Sequence, residues 1–286
     1  MPDPTHAIVL TADPDQGLSD QQIAQVQVQL PDSNAPARLS DSAAEILTGT
    51  DVVPNLNGID INRVPIANRR KKLLIADMDS TMIPVECIDE VADFAGVREQ
   101  VVAITEPAMR GEMSFTEALH RRVELMAGLP ESKLQEVFDQ RVSLNPGARK
   151  AVQTMRANGA YCALVSGGFT FFTQRVAELA GFNENRANTL LIEDGKLTGN
   201  VSEPVLGRQA KIEALEEITA RLGITPQDAL AVGDGANDLG MIGVAGLGVA
   251  YHAKPIVAEA ADAAINHGDL TALLYLQGYR ASDLVD

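Results

Sequence analysis

Residues 71–81, KKLLIADMDST, run from a basic pair through four apolar residues to two aspartates separated by a single methionine. Leu73 to Ala76 reads as a short, fully buried strand. Asp77 closes that strand, and Asp79 falls on a turn that brings it back beside Asp77. Carboxylates crowded at the carboxyl end of a strand repel one another unless a cation or a shared proton lies between them. Taken alone, the pattern also suits a solvated turn, because Asp and Ser bond readily to nearby backbone. The rest of the chain separates the two readings.

From Asn145 onward, short apolar runs alternate with helical spacing, which predicts an α/β fold with a doubly wound parallel sheet of the Rossmann type. Asn145-Pro146 is read as opening a helix that ends at Gly159. Strands are expected at 161–165, 229–232, 248–251 and 263–265. Helices are expected after Ser166-Gly167-Gly168, at 208–222, after the run 233–238, and near 270–276. Asp194-Gly195 marks a hairpin between 190–192 and Leu197.

Between the aspartate turn and this alternating run, residues 85–142 read as helical. Ser114 and Glu117 form a capping box ahead of Leu119, Val123 and Met126, and Leu134, Val137 and Phe138 share a face of the next helix. A helical block that directly follows such a turn is placed to act as a lid. Residues 1–66 differ from the rest, with nine acids against two arginines and no Phe, Tyr or Trp. A strand at 6–10, a helix at 19–30 capped by Ser19, the start of a second helix at 43–47 and a polar linker at 51–63 are the readings there. The expected organisation has three parts: a small N-terminal α+β module at 1–66, a core at 67–84 with 143–286, and a helical cap at 85–142.

The 286 residues are 45% hydrophobic, enough for a large core, and carry a formal charge of −16. That charge argues against non-specific binding to nucleic acid or an anionic membrane. A small anionic substrate then needs local cations or a metal. Cys87 and Cys162 have no metal-ligand spacing and suit a reducing compartment, with Cys162 in a core strand. His6, His120, His252 and His267 are scattered and read as structural or exposed. The amino-terminal stretch has neither a basic region nor a long apolar run, so a cytoplasmic protein is expected.

Four polar motifs fall at or just after apolar strands: Asp77 with Asp79, Ser166 with Gly167, Lys211 on a helix, and Asp234 with Asn237 and Asp238. Open parallel sheets bind ligands beyond the carboxyl ends of their strands, so the four are expected in one crevice. Asp77, Asp79 and Asp234 offer the oxygen ligands that magnesium prefers. Ser166 and the Gly167 amide, read as lying at a helix start, offer neutral donors to phosphate, and Lys211 a cation. Lys211 without its partners reads as a solvated helix lysine. An aspartate can attack phosphorus itself, with a second carboxylate moving the proton. Asp77 fits the first role and Asp79 the second.

The series DMDST, VSGG, a distal lysine and GDGAND resembles the haloacid dehalogenase superfamily of aspartate-nucleophile phosphatases. The fuller spellings DMDSTMIPVECIDEVA, EPAMRGEMSFTEALHRRV, VSGGFT, EDGKLTG and AVGDGANDLGMI are similar to those of its phosphoserine phosphatase family, over about residues 70–280. The resemblance implies a haloacid dehalogenase-like fold and magnesium-dependent hydrolysis of O-phospho-L-serine, the last step of serine biosynthesis. It implies Asp77 as nucleophile and Asp79 as general acid and base. Mg2+ would be held by the Asp77 carboxylate, the Asp79 carbonyl and Asp234, with Asp238 supporting. Glu86 would take the substrate ammonium and Arg122 its carboxylate, while Ser166, Gly167 and Lys211 hold phosphate with Asn237 nearby. Met109 and Phe115 match residues that close an apolar lid, and a homodimer is a family-level expectation. Residues 1–66 resemble a shortened regulatory module of the ACT type, lacking the second half of its βαββαβ pattern.

By their residue types alone, Glu86 and Arg122 read first as solvated helix charges. Arg121 adjoins Arg122, and spacing does not say which points inward. A zwitterion beyond the phosphate needs one acid and one arginine, which the pair supplies. A broader small-molecule phosphomonoesterase or phosphotransferase, and a non-catalytic amino-acid sensor built on residues 1–66, are the alternatives.

Overall fold

The computed structural model describes residues 3–110 and 112–285, except for the side chain of Met109. The first elements are β1 (His6–Thr11), α1 (Asp20–Gln27), β2 (Ala37–Arg38), β3 (Ala43–Thr48) and β4 (Asp60–Pro65). Ser19 caps α1 and exchanges hydrogen bonds with Gln22, as its sequence predicts. The four strands form an antiparallel sheet in the order β2-β3-β1-β4. This is the strand order of a ferredoxin-like βαββαβ unit in which a loop replaces the second helix. The missing part is therefore one helix rather than the whole second half.

Two expectations in this region are corrected. Residues 43–47 are a strand, not a helix, because alternate residues serve two faces of the sheet. Ala44 and Ile46 pack with Ile8, Leu10, Ile23 and Val26 beneath α1, while Ala43 joins Ala7, Val9 and Val64 in the main core. Burial on both sides overrides the helix preference of Ala, Glu and Leu. The stretch read as a linker ends in β4, whose Asp60 and Asn62 are polar because their partners lie in the core. Asp60 accepts from the backbone N–H groups of Asn266, His267 and Gly268, each at 2.9 Å. Asn62 exchanges two hydrogen bonds of 2.9 Å with the backbone of Ala264.

The remaining elements are β5 (Leu73–Ala76), α2 (Cys87–Phe94), α3 (Arg98–Met109), α4 (Phe115–Glu124), α5 (Ser132–Arg141), α6 (Ala148–Ala157), β6 (Tyr161–Phe169), α7 (Thr170–Ala180) and β7 (Glu184–Asn188). They continue with β8 (Leu190–Glu193), β9 (Lys196–Val201), α8 (Arg208–Leu222), β10 (Ala229–Gly233), α9 (Leu239–Val244), β11 (Leu247–Tyr251), α10 (Pro255–Ala260), β12 (Ala263–Ile265) and α11 (Ala272–Leu276). Six strands form a parallel sheet in the order β12-β11-β10-β5-β6-β7. The chain lays β6 and β7 on one side of β5 and then crosses to β10 on the other. Its direction reverses between β5 and β10, which opens a crevice at their carboxyl ends.

The Leu73–Ala76 run is apolar throughout because both faces of the sheet are covered. Leu74 and Ala76 face one core with Leu164, Val232 and Phe172. Leu73 and Ile75 face the other with Val165, Leu215 and Met241. Helices α2 to α5 stand between β5 and α6, and their buried Val91, Leu119, Val123, Leu134 and Val137 extend the first of these cores. The hairpin β8-β9 turns at Asp194-Gly195, both at positive φ. It is stitched to the helical block by Gly128 N to Leu197 O at 2.8 Å and Leu197 N to Leu129 O at 2.9 Å.

Helix α6 starts two residues later than Pro146 suggests. Gly147 precedes it at φ 78°, and a Cβ there would fall 2.4 Å from the backbone nitrogen of Thr271. The close approach of the α11 loop, rather than proline, sets this helix end. Among the described residues no helix is long and apolar enough to cross a membrane.

The seam between the N-terminal sheet and the core depends on Asp60, which is only 4% exposed. Asp60→Ala strands three backbone donors and is expected to cost about 2–3 kcal/mol. Thermal melting should show this as a fall of about 4–10 °C. A midpoint unchanged from that of the parent chain would mean that the seam is held by apolar contact alone.

Candidate active site

The hydrogen-bond ladder carries β5 one residue past its end, since Asp77 N donates to Val232 O at 3.0 Å. The chain then folds back sharply, with Thr81, Met82 and Ile83 all donating to the carbonyl of Met78. Ser80 takes φ 55° in this turn, a conformation that costs energy for any side chain and that the surrounding bonds enforce. Its hydroxyl donates to Glu86 Oε1 at 2.7 Å. Asp79 is thereby returned beside Asp77, as the sequence predicts.

Asp77 is 4% exposed, Asp238 fully buried and Lys211 1% exposed. The Lys211 ammonium lies 2.7 Å from Asp77 Oδ2 and 2.6 Å from Asp238 Oδ1. Burial by itself would lower the pKa of Lys211, but the two carboxylates outweigh it and raise the value, so the lysine is cationic. Burial and the charge of Asp77 push Asp238 up to about 7. Its other oxygen accepts from Gly235 N at 3.0 Å. Asn237 Nδ2 donates to Asp77 Oδ2 at 3.3 Å, and Thr81 Oγ1 donates to Asp234 Oδ1 at 3.3 Å. Desolvation and Asp77 also raise Asp234.

Oxygens of Asp77, Asp234 and Asp238 lie within 4.8 Å of one another. An all-carboxylate set of this kind suits a hard divalent cation. Asp79 does not belong to that set by its side chain, which points the other way. Its Oδ1 accepts from Cys87 N at 2.9 Å and its Oδ2 from the Ser166 hydroxyl at 3.2 Å. Desolvation, then the charge of Asp77, push Asp79 up to about 6. Two neighbouring carboxyls with different surroundings are a workable division between an ionised group and a proton carrier.

Ser166 and Gly167 reach the same crevice, but not from a helix start. They lie in a bulge within β6, which runs on to Phe169 before α7 begins. Glycine is needed at 168, where a Cβ would sit 2.7 Å from Asp79 Oδ2.

In the helical block, Glu86 precedes α2 at the open side of the crevice. The protein crowded around its carboxyl, then the charge of Asp79, raise it to about 8. The structure distinguishes the adjacent arginines: Arg121 pairs with Glu117 at 2.7 Å on the outer face, whereas Arg122 turns inward toward Thr105 Oγ1 at 3.5 Å. Burial lowers its pKa against the pull of Asp89 and Glu86. The Glu117 side chain is thus an ion-pair partner, while its backbone N–H donates to the capping Ser114 Oγ. The Phe115 ring lies over Gly167 and Gly207, where added Cβ atoms would come within 3.0 and 3.1 Å of it. Met109 ends α3, and its side chain lies outside the described residues.

Several participants carry no signal in the sequence. Thr81, Ser80 and Gly168 belong to quoted motifs but have roles only in three dimensions. Asp89 has a buried oxygen without a hydrogen-bond partner, and its charge acts on Arg122. Burial pushes the Cys162 thiol up to about 12, consistent with a core residue.

The family model for haloacid dehalogenase-like hydrolases matches residues 74–242. A phosphoserine phosphatase from Polaromonas sp. is 50% identical over 210 residues, which cover 72% of this chain and 89% of the relative. A haloacid dehalogenase family hydrolase from Salmonella enterica serovar Typhi superposes with a TM-score of 0.81 at 32% identity, covering 95% of this chain and 98% of its own. A probable phosphoserine phosphatase from Vibrio cholerae, unliganded, gives 0.79 at 31% identity, covering 98% and 88%.

Removing the buried ammonium leaves the acids facing one another. Lys211→Met is expected to destabilise the fold by about 3–5 kcal/mol in denaturant titrations, with a divalent cation at about millimolar concentration restoring part of the loss. An unfolding midpoint equal to that of the parent would contradict this.

Proposed function

The chain belongs to the haloacid dehalogenase-like hydrolase family, and on that premise we propose that it is a magnesium-dependent phosphatase hydrolysing O-phospho-L-serine to L-serine and phosphate. The reaction completes serine biosynthesis in this reading. The observation that carries it is the convergence of Asp77, Lys211 and Asn237 on one side of the crevice with Asp79 and Ser166 on the other.

Asp77 attacks phosphorus, and the bond from phosphorus to the serine oxygen breaks as an aspartyl-phosphate forms. Asp79, whose raised pKa of about 6 lets it hold a proton, gives that proton to the departing oxygen. It then takes a proton from the water that attacks the same phosphorus, which frees phosphate and restores Asp77. Lys211, the Ser166 hydroxyl and the Gly167 amide bind the phosphoryl oxygens, whose charge grows in the transition state. Lys211 also holds the Asp77 carboxylate in place.

The Asp77 carboxylate, the Asp79 carbonyl and Asp234 would hold Mg2+, with Asp238 fixing Lys211 and the metal loop. The cation supplies the positive charge that lets an anionic nucleophile approach a phosphate dianion. The cluster of three acids within 4.8 Å supports that placement.

At the other end of the substrate, Glu86 takes the ammonium and Arg122 the carboxylate. Phe115 closes over Gly167, and excluding water strengthens each charge contact beneath it. The segment 85–142 then acts as the lid.

Phosphate release from phosphoserine, with and without magnesium and against a panel of phosphomonoesters, tests the reading. Asp77→Asn is expected to fold and to lose turnover by at least about a thousandfold. Arg122→Ala should chiefly raise KM for phosphoserine, and Arg121→Ala should leave it within about twofold. Phosphoserine falling behind other esters by kcat/KM would move the reading to a broader phosphomonoesterase. Full turnover by Asp77→Asn would end the covalent scheme.

A further inference from the structure

Asn188 ends β7 at 2% exposure, and no motif in the sequence singles it out. Strands β6 and β7 are in register at Val165 with Arg186 and again at Phe169 with Asn188, so three residues of β6 oppose one of β7 in between. Ser166, Gly167 and Gly168 are pushed out of the ladder, and their backbone groups, only partly open to solvent, need other partners. Asn188 takes up one of them. Its Nδ2 donates to Gly167 O at 2.9 Å and to Leu206 O at 3.1 Å, and its Oδ1 accepts from Leu206 N at 2.7 Å. The Leu206 N–H fixes which end of the amide is oxygen, so Nδ2 must face the two carbonyls.

The consequence reaches the reacting groups through one rigid plane. Gly167 O and Gly168 N belong to the same peptide. Holding the carbonyl on Asn188 turns the N–H the opposite way, onto Ser166 Oγ at 2.8 Å. A hydroxyl has a single proton, and with this acceptor contact made it is turned toward the crevice, onto Asp79 Oδ2 in this structure and onto a phosphoryl oxygen when substrate is bound in the reading above. The other arm of Asn188 holds Leu206, whose neighbour Gly207 caps α8 and lies under the Phe115 ring. Lys211 stands in the first turns of that helix. A single buried amide therefore ties the bulge to the segment that carries the lysine.

We propose that Asn188 is a positioning residue for the phosphoryl half of the site: it fixes the Gly167–Gly168 peptide, the direction of the Ser166 hydroxyl and the approach of α8. It touches neither substrate nor the reacting atoms. The inference rests on the phosphatase reading given above.

The test compares the parent chain with Asn188→Ser and Asn188→Asp, the latter keeping an oxygen for Leu206 N but losing both donors. Asn62→Ser serves as control, because it removes an equivalent two-way amide clip at the distant module seam. Turnover of phosphoserine per folded molecule is measured together with calorimetric affinity for inorganic phosphate and for L-serine, with magnesium present. In each Asn188 variant that folds, turnover and phosphate affinity are expected to fall about 10- to 100-fold while L-serine affinity stays within about twofold. Asn62→Ser should lower the melting temperature and leave turnover unchanged. Parent-like turnover in an Asn188 variant, or phosphate and serine affinities that weaken together, would overturn the proposal. Absence of phosphoserine turnover in the parent would strike the substrate assignment alone, and the phosphate affinities would still decide the role of Asn188.

Discussion

Asp77, Asp234 and Asp238 are held in one small volume at the carboxyl ends of the central strands of a parallel sheet, and the Lys211 ammonium is the fixed positive charge that makes this arrangement tolerable. Two buried carboxylates share it at 2.7 and 2.6 Å. Like charges so placed would otherwise protonate or separate. The net negative field that remains is suited to a divalent cation, and the cation to a phosphate. The location follows from topology, because the chain reverses direction between β5 and β10 and leaves their carboxyl ends open.

The same constraint explains why the surrounding backbone is so tightly specified. Ser80 is held at positive φ, Gly168 leaves no room for a side chain beside Asp79, and Gly233 sits where a Cβ would meet the Asp238 carboxyl at 2.4 Å. Each places a charged group where diffusing side chains would not stay. The helical block, stitched to the β8-β9 hairpin, brings Glu86 and the inward-turned Arg122 near enough for their charges to act on one another. The N-terminal sheet lies away from this crevice, locked to β12 by Asp60 and Asn62.

Much of the core was legible because its elements are short, strongly patterned and sharply punctuated. The run Leu73–Ala76 and the helix Arg208–Leu222 lie where the sequence places them, and with them Asp77 and Lys211. The N-terminal module was less legible. Residues Ala43–Thr48 have local helix preference, and only pairing with β1 and burial on two faces make them a strand. Asp60 and Asn62 read as linker residues because the groups they bond are some two hundred positions away in the chain. Arg121 and Arg122 were indistinguishable until the phase of α4 was set by its buried Leu119 and Val123. Asn188 gave no signal, since its partners are backbone atoms exposed by a bulge that sequence pattern does not reveal.

The central claim is that Asp77 transiently carries the phosphoryl group. Turnover on phosphoserine with magnesium, stopped by acid and reduced with borohydride, converts an acyl phosphate into the alcohol of the same side chain. Mass spectrometry of the peptide spanning residues 73–86 should then find homoserine at position 77, dependent on substrate. Reduction at position 79 instead, or no modified residue under conditions of rapid phosphate release, would contradict the account.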